Sequence, residues 1–273
     1  MQPIDTTEQI VRDGGVDFIV RRVSSLERKH AQREHAERQG GANPFLPHEQ
    51  DLFVADVSDT HFALFNKFNV IEHHLLIVTR AFVHQETLLD AGDFKALAAC
   101  MAEVDGLAFY NGGAVAGASQ PHKHLQLVPL PLGRTGPPLP VETLFASVKA
   151  RAGIVQVAGL PFDHAFLWLD RPAFDDAGAA ARQMHACYLE LLAAVGLKAV
   201  ETGGEARQSG PYNLLATRRW MLLVPRSREL FDSVQVNSLG FAGSMFVRDE
   251  AQMQVLKRAG PMAVLRETAI ALA

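Results

Sequence analysis

A chain of 273 residues, 48% hydrophobic and 21% charged, is long and apolar enough for one large folded domain. Its net charge of −4 argues against a dedicated nucleic-acid binder, which carries a basic domain. The start MQPIDTTEQIVRDGG lacks a signal peptide's basic start and apolar run, and no stretch reaches the roughly 18 apolar residues that span a bilayer, so a cytoplasmic protein with no membrane partner is expected. Cys100 and Cys187 lie in apolar helix-like runs and suit core positions in a reducing compartment.

Residues 7–40 read as helical, with apolar Ile10, Val11, Phe18, Ile19 and Val23 and a charged end, LERKHAQREHAERQ, that is most simply a solvated face. GGANPFLPHEQ breaks that helix. Strands are predicted at 51–57, 61–68 and 74–79, each rich in Val, Ile, Leu and Phe, and a helix at 92–109. The proline-rich run 129–140 is the best candidate boundary, because it cannot join a sheet interior. Beyond it come a helix near 141–151, a strand near 164–169, an alanine-rich helix at 176–195 and strands at 212–217, 220–224 and 241–247. A C-terminal helix at 250–272 is interrupted near Gly260-Pro261. Strands grouped together, with long helices between the groups, indicate an α+β fold with an antiparallel sheet flanked by helices. A single domain is expected, with a core at about 50–131 and a C-terminal elaboration at about 141–273.

The stretch 111–131, NGGAVAGASQPHKHLQLVPLP, concentrates the chemistry. Alternation along a strand puts His122, His124, Gln126 and Val128 on one face and Lys123, Leu125 and Leu127 on the other. Two imidazoles and an amide directly after a three-glycine loop suit a site that holds a phosphate on N–H donors and attacks it with a histidine. His124 as nucleophile would form a phosphoramidate, its other ring nitrogen keeping a proton on an acceptor such as a backbone carbonyl. His122 would orient the phosphate or stabilise a leaving oxygen, and Gln126 would donate its amide to a phosphate oxygen. Ser119 and Gln120 add donors, and Gly117 allows close backbone approach. A zinc reading of His122 and His124 lacks a third ligand of clear spacing, so no metal site is assigned.

GASQPHKHLQ, with Asn111 upstream and FNKFNVIEHHLLIVTR at 65–80, resembles the histidine-triad superfamily and, more narrowly, its diadenosine tetraphosphate phosphorylase (ATP adenylyltransferase) branch. Ordinary members carry a third histidine where this chain has Gln126, as that branch and the galactose-1-phosphate uridylyltransferases do. The cysteine metal ligands of many uridylyltransferases have no counterpart here. FIVRRVSSLERK at 18–29, NPFLP at 43–47 and YNLLATRRWMLLVPRS at 212–227 extend the resemblance over most of the chain.

The resemblance implies an adenylylated His124, with Gln126 on the attacked phosphate. Asn111, Gly117, Ala118, Ser119 and Gln120 would line the nucleotide and phosphate site. Asn66 and Lys67 would meet ribose or phosphate, Lys29 a more distal phosphate, and Asn213, Thr217 and Arg226 the far side of the substrate. Read without the resemblance, Lys29 and Arg226 are ordinary surface charges. The partners it implies are diadenosine tetraphosphate, ATP, ADP and inorganic phosphate. No covalent cofactor is implied; a divalent cation such as Mg²⁺ could neutralise the polyphosphate, though no carboxylate cluster demands it. A monomer is expected. Two other functions remain open at this point: a hydrolase of dinucleoside polyphosphates, with water as acceptor, and a non-catalytic nucleotide-binding protein.

Overall fold

A computed structural model of the chain describes residues 6–23, 43–149, 153–169 and 176–272. Lys29 and the whole charged run LERKHAQREHAERQ lie outside the described residues. The segment expected to start a helix at residue 7 is instead a hairpin of β1 (Thr6–Asp13) and β2 (Val16–Val23), paired from Thr6↔Val23 to Asp13↔Val16. Gly14 and Gly15 decide it. Both have positive φ (56° and 80°), the backbone that a two-residue hairpin turn needs, whereas two glycines inside a helix would cost about 1 kcal/mol each.

The strands β3 (Phe53–Asp56), β4 (His61–Phe65) and β5 (Leu75–Thr79) fall within the predicted runs. Helix α1 (Ala91–Glu103) starts in a capping box, with the Asp90 side chain accepting from Gly92 N and Asp93 N while the Asp93 side chain accepts from Asp90 N. It ends six residues earlier than expected, and β6 (Gly106–Gly112) follows. Gly106 marks the change: a Cβ there would lie 2.3 Å from Val128 O, so the strand pairs closely only without a side chain. Next come β7 (His124–Pro129), a single turn α2 (Glu142–Phe145) in place of the longer predicted helix, and β8 (Ala165–Trp168).

Helix α3 (Ala177–Ala194) matches the alanine-rich run, and the hairpin β9 (Ala199–Thr202) and β10 (Glu205–Gln208) was not anticipated. After β11 (Tyr212–Ala216) and β12 (Trp220–Pro225) lie the short strands β13 (Leu230–Phe231) and β14 (Val234–Gln235). The strand predicted at 241–247 divides into a turn of helix, α4 (Ser238–Phe241), and β15 (Ser244–Val247). Gly243, at φ 94° with the pyrrolidine of Pro140 where its Cβ would be, separates them. Helices α5 (Glu250–Ala259) and α6 (Pro261–Thr268) meet at Gly260 as expected.

Eight strands form one fully antiparallel sheet in the order β3-β4-β5-β7-β6-β11-β12-β8, so both halves of the chain contribute to it. One face packs Leu125, Leu127, Ala108, Tyr110 and Leu214 against Phe94, Leu97 and Met101 of α1 and Met184 and Leu191 of α3. The other packs Val128, Leu107, Phe109, Leu215 and Leu222 against Phe18 and Val20 of β2, Met245 of β15 and Leu256 and Leu265 of the C-terminal helices. Each fully buried side chain of this size contributes about 1.5–3 kcal/mol, which fixes the register of β7 and with it which residues share the second face.

Candidate active site

On that second face the pairing register builds two rows across the sheet. Val78, His124, Asn111 and Asn213 form one, although the ladder between β6 and β7 ends at Phe109↔Gln126, two residues short of pairing His124 with Asn111. Leu76, Gln126, Phe109 and Leu215 form the next. The His124 imidazole, two asparagines and a glutamine thus lie against an apolar floor.

His124 is buried, and its Nδ1 lies 2.8 Å from His122 O. A carbonyl oxygen only accepts, so Nδ1 carries the proton and the lone pair of the neutral ring is on Nε2. The Phe45 ring, from the NPFLP run, packs 5.3 Å from the His124 ring and 5.6 Å from that of His122. Gln126 accepts at Oε1 from His74 Nε2 (3.0 Å), and Asn66 Nδ2 lies 3.3 Å from His74 Nδ1. This chain fixes the amide: with Oε1 taken by an N–H, the Gln126 NH₂ is presented as a donor. Asn66 sits just past β4 rather than within a strand, and its own Oδ1 accepts from Phe68 N (3.0 Å).

His122 departs from expectation. It precedes β7, and its ring is consumed: Asn43 Nδ2 donates to Nδ1 (3.0 Å) and Nε2 donates to Thr79 O (2.9 Å), with Ala81 O at 3.1 Å. Burial pushes this imidazole below its ordinary pKa, against the pull of those two carbonyls, and keeps it neutral. Its contribution to the site is the backbone oxygen that orients His124, not a ring turned to phosphate.

Asn111 Oδ1 accepts from Asn213 Nδ2 (2.9 Å), Ser238 N (3.0 Å) and Ser238 Oγ (2.7 Å), which leaves its NH₂ on the other branch of the amide. Asn213 is fully buried and also donates to Ala116 O (2.9 Å), while its Oδ1 accepts from Arg226 Nη1 (2.5 Å). Arg226 is not a surface charge. At 2% exposure it donates to Thr268 O, Val236 O and Arg228 O and lies over the Phe241 ring. Burial pushes its guanidinium down to about 9, still charged at neutral pH. Asn213 and Arg226 therefore hold the wall behind Asn111 instead of reaching substrate themselves.

Gly117 N and Ala118 N already donate to Ala114 O and Gly113 O, so those two amides are spent within the loop. Gly117 is needed for another reason: at φ 92°, its Cβ would lie 2.8 Å from Asn237 Cβ. Ser119 and Gln120, half-buried, follow it toward the histidine strand. Lys67 is exposed and pairs with Glu49 Oε1 (2.6 Å). Thr217 caps the β11–β12 turn by accepting from Arg219 N and Trp220 N, four residues along from Asn213 and so roughly 13 Å from the Asn111 row; the structure does not bring it to the site.

Lys123 projects to the opposite face, where it is buried and donates to Asp93 Oδ2 (2.6 Å). His61 Nε2 meets Asp93 Oδ1 (3.0 Å). Burial alone would raise Asp93, but these partners hold its carboxyl below the usual range. That face also carries a cavity of about 470 Å³, lined mainly by apolar groups including Phe65, Leu75, Cys100 and Leu127, well away from the His124 imidazole. Burial pushes the Cys100 thiol up to about 11. Among the described residues no group of three or more His, Cys, Asp or Glu could hold a metal ion, and no helix is long and apolar enough to cross a membrane. His74, Phe45, Gln85 and Ser238 are site residues that the sequence reading did not single out. The adjacent histidines at 73 and 74, inside a motif already noted, were the available signal for the first.

Residues 1–147 match the Ap4A phosphorylase N-terminal domain, and residues 158–271 match the ATP adenylyltransferase C-terminal domain. The chain belongs to the Ap4A phosphorylase (ATP adenylyltransferase) family of enzymes. It is 26% identical over 238 residues to diadenosine 5',5'''-P1,P4-tetraphosphate phosphorylase 2 of Saccharomyces cerevisiae, covering 78% of this chain and 71% of that protein. With Protein APA1 of the same yeast it shares 25% over 280 residues, covering 90% and 80%. The crystal structure of yeast Ap4A phosphorylase Apa2 superimposes with a TM-score of 0.75 at 22% identity, covering 98% of this chain and 88% of that one. The Apa2 structure in complex with Ap4A gives 0.74 at 20% identity, covering 99% and 92%. At those identities the superpositions establish the shared fold.

Proposed function

We propose that this chain cleaves diadenosine tetraphosphate by phosphorolysis through a covalent adenylyl group on His124. His124 Nε2 attacks the phosphorus attached to one adenosine, the P–N bond forms, and the P–O bond to the remaining chain breaks to release ATP. Inorganic phosphate then attacks the same phosphorus, giving ADP and restoring the imidazole. The reverse direction condenses ATP with ADP and releases phosphate.

The observation that carries this proposal is the fixed tautomer: Nδ1–H on His122 O leaves the lone pair on Nε2, next to an amide that His74 turns to donate. Developing charge on the phosphate oxygens falls to Gln126, to the Asn111 NH₂ and to Ser119 and Gln120, neutral donors fixed before reaction. Lys67 is assigned to ribose or phosphate and Lys29 to a more distal phosphate; Mg²⁺ would arrive with the polyphosphate rather than on a protein site. The enzyme acts as a single-domain monomer in the cytoplasm on these nucleotides, without nucleic acid.

The test is product identification from diadenosine tetraphosphate with labelled phosphate. Label in ADP, with an acid-labile AMP adduct that is absent in His124→Ala, is expected. AMP and ATP formed at a rate indifferent to phosphate would instead identify a hydrolase. Nucleotide binding with no adduct would identify a non-catalytic protein.

A further inference from the structure

We infer that Gln85 is a positioning residue that sets the gap between the nucleophile His124 and Asn111; the inference rests on the function proposed above. The β6–β7 ladder pairs Phe109 with Gln126, and the next pair on that face would be Asn111 with His124. Their backbones do not bond to each other. The side-chain amide of Gln85 stands between them: Oε1 accepts from His124 N (2.9 Å), and Nε2 donates to Asn111 O (2.9 Å) and to His124 O (3.4 Å).

A primary amide carries one acceptor and two N–H donors on a rigid plane, so it can replace the backbone bonds of one ladder step while holding the strands further apart than direct pairing would. Gln85 is itself fixed at both ends of its peptide. Gln85 N donates to Pro121 O (2.7 Å), and Tyr110 OH donates to Gln85 O. Its Oε1 and both N–H groups are used on backbone atoms of His124 and Asn111, so it offers no free polar group to substrate. The wedge therefore opens the sheet where one strand carries the attacking imidazole and the other an amide donor, and a phosphate between them needs that width. A plain antiparallel pair would set the two Cβ atoms only about 4.5–5.5 Å apart, too close for a tetrahedral phosphate between the side chains.

The test is single-turnover adenylylation of full-length enzyme by diadenosine tetraphosphate, scored per mole of AMP-binding sites so that misfolded protein does not count. Gln85→Met keeps the length and removes all three bonds. The limiting rate of adduct formation is expected to fall by roughly 10- to 100-fold, the scale of a misplacement near 1 Å, with AMP affinity within about threefold of wild type. Gln85→Glu, which still accepts from His124 N but when ionised gives no donor to Asn111 O, is expected to lose rate in the same way and serves if the Met variant does not fold. Loss of AMP affinity at an unchanged limiting rate, or an unchanged rate per folded molecule, overturns the inference. A wild type that forms no adduct would instead overturn the function on which it rests.

Discussion

If His74 acts only by holding the Gln126 amide, its removal should cost what that orientation is worth and no more. His74→Phe is the informative change, since the ring keeps its packing against Phe109 (centroids 5.7 Å apart) while losing the Nε2–H donor to Gln126 Oε1. A neutral hydrogen bond contributes about 0.5–1.5 kcal/mol net, so the bias toward the donating orientation falls by about 2- to 13-fold. The rate of adduct formation should fall by about fivefold. Gln126→Leu removes the donor altogether and should cost roughly 10²–10³-fold, as loss of one oxyanion donor does. The two effects should not add: His74→Phe on the Gln126→Leu background should slow the reaction no further. Single-turnover adenylylation of the four proteins in the cycle measures this. An additive cycle, or a His74→Phe defect as large as that of Gln126→Leu, would refute the relay.

Arg226→Met strips donors from Asn213 Oδ1 and from the carbonyls of Thr268, Val236 and Arg228, and should lower stability in urea unfolding by about 1–3 kcal/mol for each acceptor left unsatisfied; a total loss under about 1 kcal/mol would contradict its place in the wall. Gly117→Ala combines φ 92° with contacts of 2.8 Å to Asn237 Cβ and 3.0 Å to Val236 O, and should cost about 1–3 kcal/mol by the same measurement, whereas a neutral or stabilising change would show that the loop relaxes freely. His164 is buried with Nδ1–H donating to Phe162 O (2.8 Å) and Nε2 accepting from Val157 N (2.7 Å), and burial pushes its pKa below 6.5 despite that carbonyl. Between 6.5 and the lower folded value the unfolded chain binds a proton that the folded chain does not, so stability is present above 6.5 and lost as pH falls, by up to about 1.4 kcal/mol per pH unit for one group. His164→Gln should flatten the decline between pH 6.5 and 5 in urea midpoints; an unchanged slope would assign it to other groups.

What could be read from the sequence was local. The alternation of His124, Gln126 and Val128 against Lys123, Leu125 and Leu127 needs only a period of two, and the fold preserves it. The acceptor for His124 Nδ1 is two residues away and was expected as a carbonyl. The partners of His122 lie 41 to 79 residues distant, so nothing near it in sequence tells that its ring is spent on Asn43, Thr79 and Ala81. Arg226 follows a strand and looks exposed until Thr268 and Val236 close over it. The Gly14-Gly15 pair is the local signal for the hairpin: apolar positions at 10, 11, 18, 19 and 23 fit a helical stripe only if the turn between them is ignored.

The row of His124, Asn111 and Asn213 joins distant parts of the chain for a physical reason. His124 and Asn111 come from the segment matching the N-terminal family domain, whereas Asn213, Arg226 and Ser238 come from the segment matching the C-terminal one. Asn111 pairs with Asn213 across β6 and β11, and its Oδ1 must be occupied by Asn213 and Ser238 for its NH₂ to be the donor that remains. Asn213 in turn is oriented by Arg226, because a guanidinium can only donate and so selects the carbonyl end of that amide. Each amide in the sequence Arg226, Asn213, Asn111 is thus turned by the one before it. On the other side of His124, Asn66, His74 and Gln126 form a second such sequence that also ends in an NH₂. Two relays, one from each side, present N–H donors beside a histidine whose tautomer is fixed by a third bond. An anion is the ligand that such a site selects, and it needs no net positive charge on the protein to do so.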